Sequence, residues 1–133
     1  MSVDTAIADA VKTVPECVAC GVVDMSTGML IGVKTVDSHP QEVLDLVAAA
    51  TSDLYQGTNV TAIEKLFKKS RGTADDGKHY FQEIVVLSDN LIHVFVRGGD
   101  QNQVAVLVCR ASANLGMVIT KSRQAAKAIE AAG

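Results

Sequence analysis

Tryptophan is missing from this chain of 133 residues, and two tyrosines and three phenylalanines are its only aromatics. Platforms on which bases or sugar rings could stack are therefore scarce, and a core has to be built from Val, Ile, Leu and Ala. An excess of positive charge is missing too. Twelve Lys and Arg stand against fifteen Asp and Glu, a formal net charge of −3. Nucleic-acid binding needs a basic footprint, so no nucleic-acid partner is expected. No apolar run approaches the roughly 18 residues of a membrane-spanning helix, and no membrane partner is expected either. The opening segment MSVDTAIADAVKTVP holds two early aspartates and no basic start, which does not fit a signal peptide. The expectation is a cytoplasmic protein whose three cysteines stay reduced.

Cofactor loops are lacking as well. Neither GxxxxGK[ST] nor GxGxxG occurs, and the two glycines of VRGGDQN (96–102) belong to a turn. No cofactor or metal is expected.

What is present fits one globular domain spanning 1–133, with 48% apolar and 20% charged residues. Val3, Ile7 and Val11 recur every four residues and predict a helix ending before Pro15. Cys17 to Asp24 and Met29 to Val36 predict a hairpin around the turn residues DMSTG (24–28). Ser38, Pro40 and Gln41 form a helix start, and Gly57 stops that helix after Gln56. A shorter helical pattern (Val60, Ile63, Leu66, Phe67) leads into the polar loop KKSRGTADDGK (68–78). Strands are predicted over Tyr80 to Leu87, Leu91 to Arg97 and Val104 to Cys109, joined by SDN (88–90) and GGDQN (98–102). A last helix opens at Asn114. Strand hairpins interrupted by a helix give an α+β class with a mainly antiparallel sheet.

The chemical candidates are few. Cys17-x-x-Cys20 has the spacing of a zinc or redox motif. No second ligand pair accompanies it, and residues three apart on a regular strand point to opposite faces. The two thiols therefore read as packing residues, back to back. His93 lies in the strand LIHVFVR without an evident orienting carboxylate or nucleophile. Lys65, Lys68, Lys69 and Arg71 cluster, but Asp75 and Asp76 soon offset them, so the run reads as a solvated face. Nothing in the sequence brings Asp24 and Glu83 together as an acid–base pair. No catalytic residue is assigned, and the chain does not read as an enzyme.

One feature exceeds the needs of a monomer. The helix PQEVLDLVAAATSDLYQG has an apolar face at Val43, Leu46, Val47, Ala50 and Leu54. It has a second stripe through Leu44, Ala48, Thr51 and Tyr55. One can cover the sheet, and the other needs a cover of its own. The strand HYFQEIVVL is apolar on both faces, with Tyr80, Gln82, Ile84 and Val86 on one of them, and an edge position would leave it unprotected. A symmetric partner covering both would solve the two problems together. The expected homodimer interface comprises Leu44, Ala48, Thr51, Tyr55, Tyr80, Gln82 and Ile84. The competing reading is that residues 58–78 fold back over these surfaces.

The hairpin GVVDMSTGMLIGV (21–33), the strand pair EIVVLSDNLIHVFVR (83–97) and above all VAVLVCRASANLGMVITKSRQAAKAI (104–129) resemble the roadblock-type dynein light chain family, a relative of the longin and profilin-like folds. The resemblance spans nearly the whole chain. It implies a five-stranded antiparallel sheet, with the first and last helices on one face and the middle helix on the other. It implies dimerisation through the middle helix and the strand after it. It implies a non-catalytic adaptor, or a regulator of a small Ras-like GTPase. The charged insert 58–78 departs from the family pattern. The alternative function is a profilin-like small-molecule sensor, which would need a cavity with polar anchors.

Overall fold

The computed structural model describes residues 2–36, 41–70, 82–99 and 102–132, with residues 41–46 described by their backbone only. In chain order the elements are α1 (Val3–Thr13), β1 (Cys17–Asp24), β2 (Met29–Thr35), α2 (Gln41–Gln56), α3 (Thr58–Ser70), β3 (Glu83–Leu87), β4 (Leu91–Arg97), β5 (Gln103–Arg110) and α4 (Leu115–Ala132). The strands form one sheet in the order β2-β1-β5-β4-β3, and every neighbouring pair is antiparallel. The α+β fold with a five-stranded antiparallel sheet is as expected.

Local chemistry sets the boundaries. Ser2 caps α1 by accepting from the Thr5 N–H at 3.1 Å, and the Asn114 side chain caps α4 by accepting from the Met117 N–H at 3.0 Å. Gly28 has φ 72° in the turn between β1 and β2, a conformation that glycine adopts without a Cβ penalty. Asp24 holds the same turn by accepting from the Ser26 N–H and hydroxyl. Those hydrogen bonds keep its carboxyl below the usual range. The expected Ser38 cap lies outside the described residues; of the expected loop 68–78, residues 68–70 are the last of α3 and the rest lie outside the described residues.

The sheet separates two cores. On one face α1 and α4 pack together through Ile7, Ala10, Val14, Val118 and Ile129 over Val22, Ile92, Val94 and Leu107. On the other, Ala48 and Tyr55 of α2 lie over Val23, Phe95, Val104 and Val106. This is the layering the resemblance implies.

The cysteines require a correction. Cys17 and Cys20 do not sit back to back: both face the α1–α4 core, together with Cys109. The reason is a bulge. The β1–β5 register pairs Cys17 with Cys109 and then Ala19 with Val108, so Val18 is an extra residue that shifts the alternation of faces. All three thiols are free and buried, which leaves their reading as packing residues in place.

Candidate interaction surface

The middle helix presents its two stripes the opposite way from expectation. Ala48, Thr51 and Tyr55 are buried inside the protomer. The Thr51 hydroxyl is satisfied by the Val47 carbonyl at 2.8 Å. The stripe left outward carries Val47, 41% exposed, and Leu54, 38% exposed, with Ala50 exposed between them. Positions 47, 50 and 54 share one helical face.

Tyr55 explains the choice. Its ring fills the core, and its hydroxyl lies 2.8 Å from the Phe95 carbonyl and 3.1 Å from the Gln82 carbonyl. Its phenol is pushed up, chiefly by burial. The Arg97 guanidinium lies 4.6 Å from the ring centroid and donates to the Tyr55 carbonyl at 3.5 Å. Arg97 is itself buried, and burial lowers its pKa against the opposing influence of Tyr55 and Glu64. Glu64 is the buried residue of α3. A tyrosine with a polar tip reaches these groups, and the leucine beside it could not.

Among the described residues β3 is an edge strand, hydrogen-bonded to β4 on one side. Ile84 is half-buried and packs towards the α2 core, whereas Val85, Val86 and the 64%-exposed Leu87 reach solvent. Gln82 is exposed just before the strand, and its carbonyl accepts from the Arg97 N–H at 2.8 Å. At the same end, Glu83 pairs with Arg123 of α4 at 3.0 Å. The side chain of Leu44 and all of Tyr80 lie outside the described residues. Of the expected interface residues, then, Gln82 and Ile84 lie at the surface or close to it, and Ala48, Thr51 and Tyr55 do not.

Gly57 joins α2 to α3. A Cβ there would stand 2.7 Å from the Asp53 carbonyl oxygen. Helix α3 packs beside α2 but leaves its own Ile63, Phe67 and 64%-exposed Leu66 in solvent. The described part of the insert, 58–70, therefore extends the apolar surface. Sequence reasoning missed this role of α3. The signal was present in the spacing of Ile63, Leu66 and Phe67 beside Lys65, Lys68 and Lys69.

Among the described residues no group of three His, Cys, Asp or Glu side chains is placed to hold a metal ion, and no helix is long and apolar enough to cross a membrane. An open cleft of about 520 Å³ lies between the end of β4 and α4, lined by Arg97, Gly98, Arg123, Lys127 and Glu130 among others. Glu130 closes one side by accepting from the Gly99 N–H at 2.7 Å.

Neither a family model nor a curated protein matches the chain. Solved structures do. The gliding protein MglB from Thermus thermophilus superposes with a TM-score of 0.72 at 20% identity, covering 98% of this chain and 87% of that one. An MglB with a tetrameric arrangement superposes equally well, over 98% and 90% of the two chains. A Roadblock/LC7 domain from Streptomyces avermitilis gives 0.67 at 17% identity, covering 98% and 97%.

The fold is the roadblock fold.

Within that roadblock fold, the outward stripe of α2, the exposed side of α3 and the edge strand β3 carry apolar side chains that neither core of the protomer absorbs, as does the other edge strand, β2, at Met29 and Ile31.

Proposed function

We propose that this chain is a homodimeric, non-catalytic interaction module that regulates or scaffolds a small Ras-like GTPase. The observation that carries the reading is the pairing of an open β3 edge with the outward Val47–Ala50–Leu54 stripe of α2. A second copy meeting edge to edge would continue the sheet and bring the two stripes together. Two liabilities of the isolated protomer, the β3 edge and the exposed apolar face of α2, would end in one contact. Self-association of a structural neighbour, the tetrameric MglB arrangement, supports this. The GTPase rests on the resemblance to roadblock-type proteins. Regulation would be conformational: a surface that prefers one nucleotide state shifts the population by that preference.

Light scattering over a concentration series tests the first part. The expected mass is twice the 14.0 kDa chain, and a monomer throughout would refute the dimer. Retention of candidate GTPases loaded with GDP or a GTP analogue tests the second part. Retention that does not depend on the nucleotide would refute a regulatory role.

A further inference from the structure

Cys17 and Cys109 face each other across the two central strands. They are register partners between β1 and β5, and the Arg110 N–H donates to the Glu16 carbonyl at 3.1 Å. That hydrogen bond joins the residue after Cys109 to the residue before Cys17. The pair therefore occupies a non-hydrogen-bonded position of the antiparallel ladder, where Cα atoms come within about 4.5 Å and side chains are closest. Disulfides span Cα separations of roughly 4.4–6.8 Å, so no strand has to move to join these sulfurs. The Val18 bulge is what brings Cys17 to this face. Without it the side chain would point towards α2.

From this geometry we infer that Cys17 and Cys109 are an oxidisable pair that closes to an intramolecular disulfide in response to a hydroperoxide.

The division of labour follows from access and hydrogen bonding. Cys17 is 7% exposed, whereas Cys109 and Cys20 are sealed in the core. A small oxidant therefore meets Cys17 first. The Cys17 S–H is directed to the Ala19 carbonyl at 3.2 Å, which leaves its sulfur free to accept the Cys109 S–H. That contact lowers the Cys17 thiol below its ordinary range and raises Cys109. Burial pushes Cys20 up to about 12, and its partner on β5 is Leu107, not a thiol.

The chemistry balances. The Cys17 thiolate attacks one peroxide oxygen, the O–O bond breaks, and the departing oxygen leaves protonated as water. Cys17 is then a sulfenic acid. The Cys109 sulfur attacks the Cys17 sulfur, the S–O bond breaks, and hydroxide leaves with the Cys109 proton as a second water. Two thiols and one hydrogen peroxide give one disulfide and two waters. A dithiol reverses the bond by exchange.

The test is hydrogen peroxide treatment of the full chain, alkylation of remaining thiols, and tryptic mapping without reductant. Peptide 13–34 carries Cys17 and Cys20, and peptide 98–110 carries Cys109. The inference predicts that these two peptides are linked in the wild type and in Cys20→Ala, that the intact chain loses two hydrogen atoms, and that dithiothreitol restores them. Circular dichroism confirms folding of each variant. The wild-type result stands even where Cys109→Ala fails to fold. Absence of the link in folded wild-type protein would overturn the inference. So would a link that persists in Cys17→Ala, or oxidation yielding only disulfides between chains.

Discussion

The Arg97 guanidinium lies over the Tyr55 ring at 4.6 Å, joining the end of β4 to the last turn of α2. The contact is buried on both sides, where a cation–π interaction is worth about 2 kcal/mol. The same tyrosine reaches the Phe95 and Gln82 carbonyls through its hydroxyl. One side chain thus fixes the helix by packing, by hydrogen bonding and by charge.

These contributions separate by substitution. Tyr55→Phe keeps the ring over Arg97 and removes only the hydroxyl, so it should cost about 1 kcal/mol, the net worth of one hydrogen bond. Tyr55→Leu also removes the ring from under the guanidinium and should cost clearly more, about 2–4 kcal/mol with the lost volume. Urea titrations of the two variants decide. Equal costs would mean that Arg97 gains nothing from the ring.

The two faces of α2 predict opposite fates for the same substitution. Leu54→Arg places the charge on the outward stripe and should yield a folded protein of half the wild-type solution mass. Ala48→Arg places it in the core, where Ala48 is 1% exposed. An unpaired buried charge costs several kcal/mol, so this variant should be lost to unfolding. Circular dichroism and light scattering read both. A folded Ala48→Arg monomer would return the interface to the Ala48 stripe.

That reversal shows where the sequence stops being legible. The elements and the sheet were readable because Val-rich runs, turn residues and Gly57 mark them directly. The facing of α2 was not, because its two stripes carry similar apolar content. Physics separates them by polar tips: Thr51 can return its hydroxyl to Val47, and Tyr55 finds carbonyls and Arg97 in the core. Those partners are 40 and 42 residues away in sequence for Phe95 and Arg97, and no local pattern announces them. The face of Cys17 was hidden for a different reason. Strand alternation assumes an unbroken register, and Val18 is a β-branched residue with nothing to mark it as a bulge.

Gly57 is required by the geometry between α2 and α3. Its added Cβ would press on the backbone oxygen of Asp53 at 2.7 Å, which a flexible side chain cannot relieve. Overpacking of this kind costs typically about 1–3 kcal/mol. Gly57→Ala should therefore lower the urea midpoint, although alanine is the better helix former elsewhere. A midpoint equal to or above wild type would show that the junction tolerates a continuous helix.

His93 supplies a pH dependence with a definite sign. Burial holds its imidazole below the ordinary 6.5, and its Nε2 lies 3.3 Å from the Ser88 hydroxyl. The folded chain thus favours the neutral ring, and the unfolded chain takes up the proton first as pH falls. Stability contributed by this group is complete above the unfolded value near 6.5. It declines as pH drops through that value towards the lower folded one, and no further once both states are protonated. Replacing His93 with Gln should flatten the stability profile below the unfolded value near 6.5 relative to wild type, leaving the more acidic carboxylate limb in place. Chemical denaturation at a series of pH values measures it. A variant whose profile keeps the wild-type slope would assign that slope to other groups.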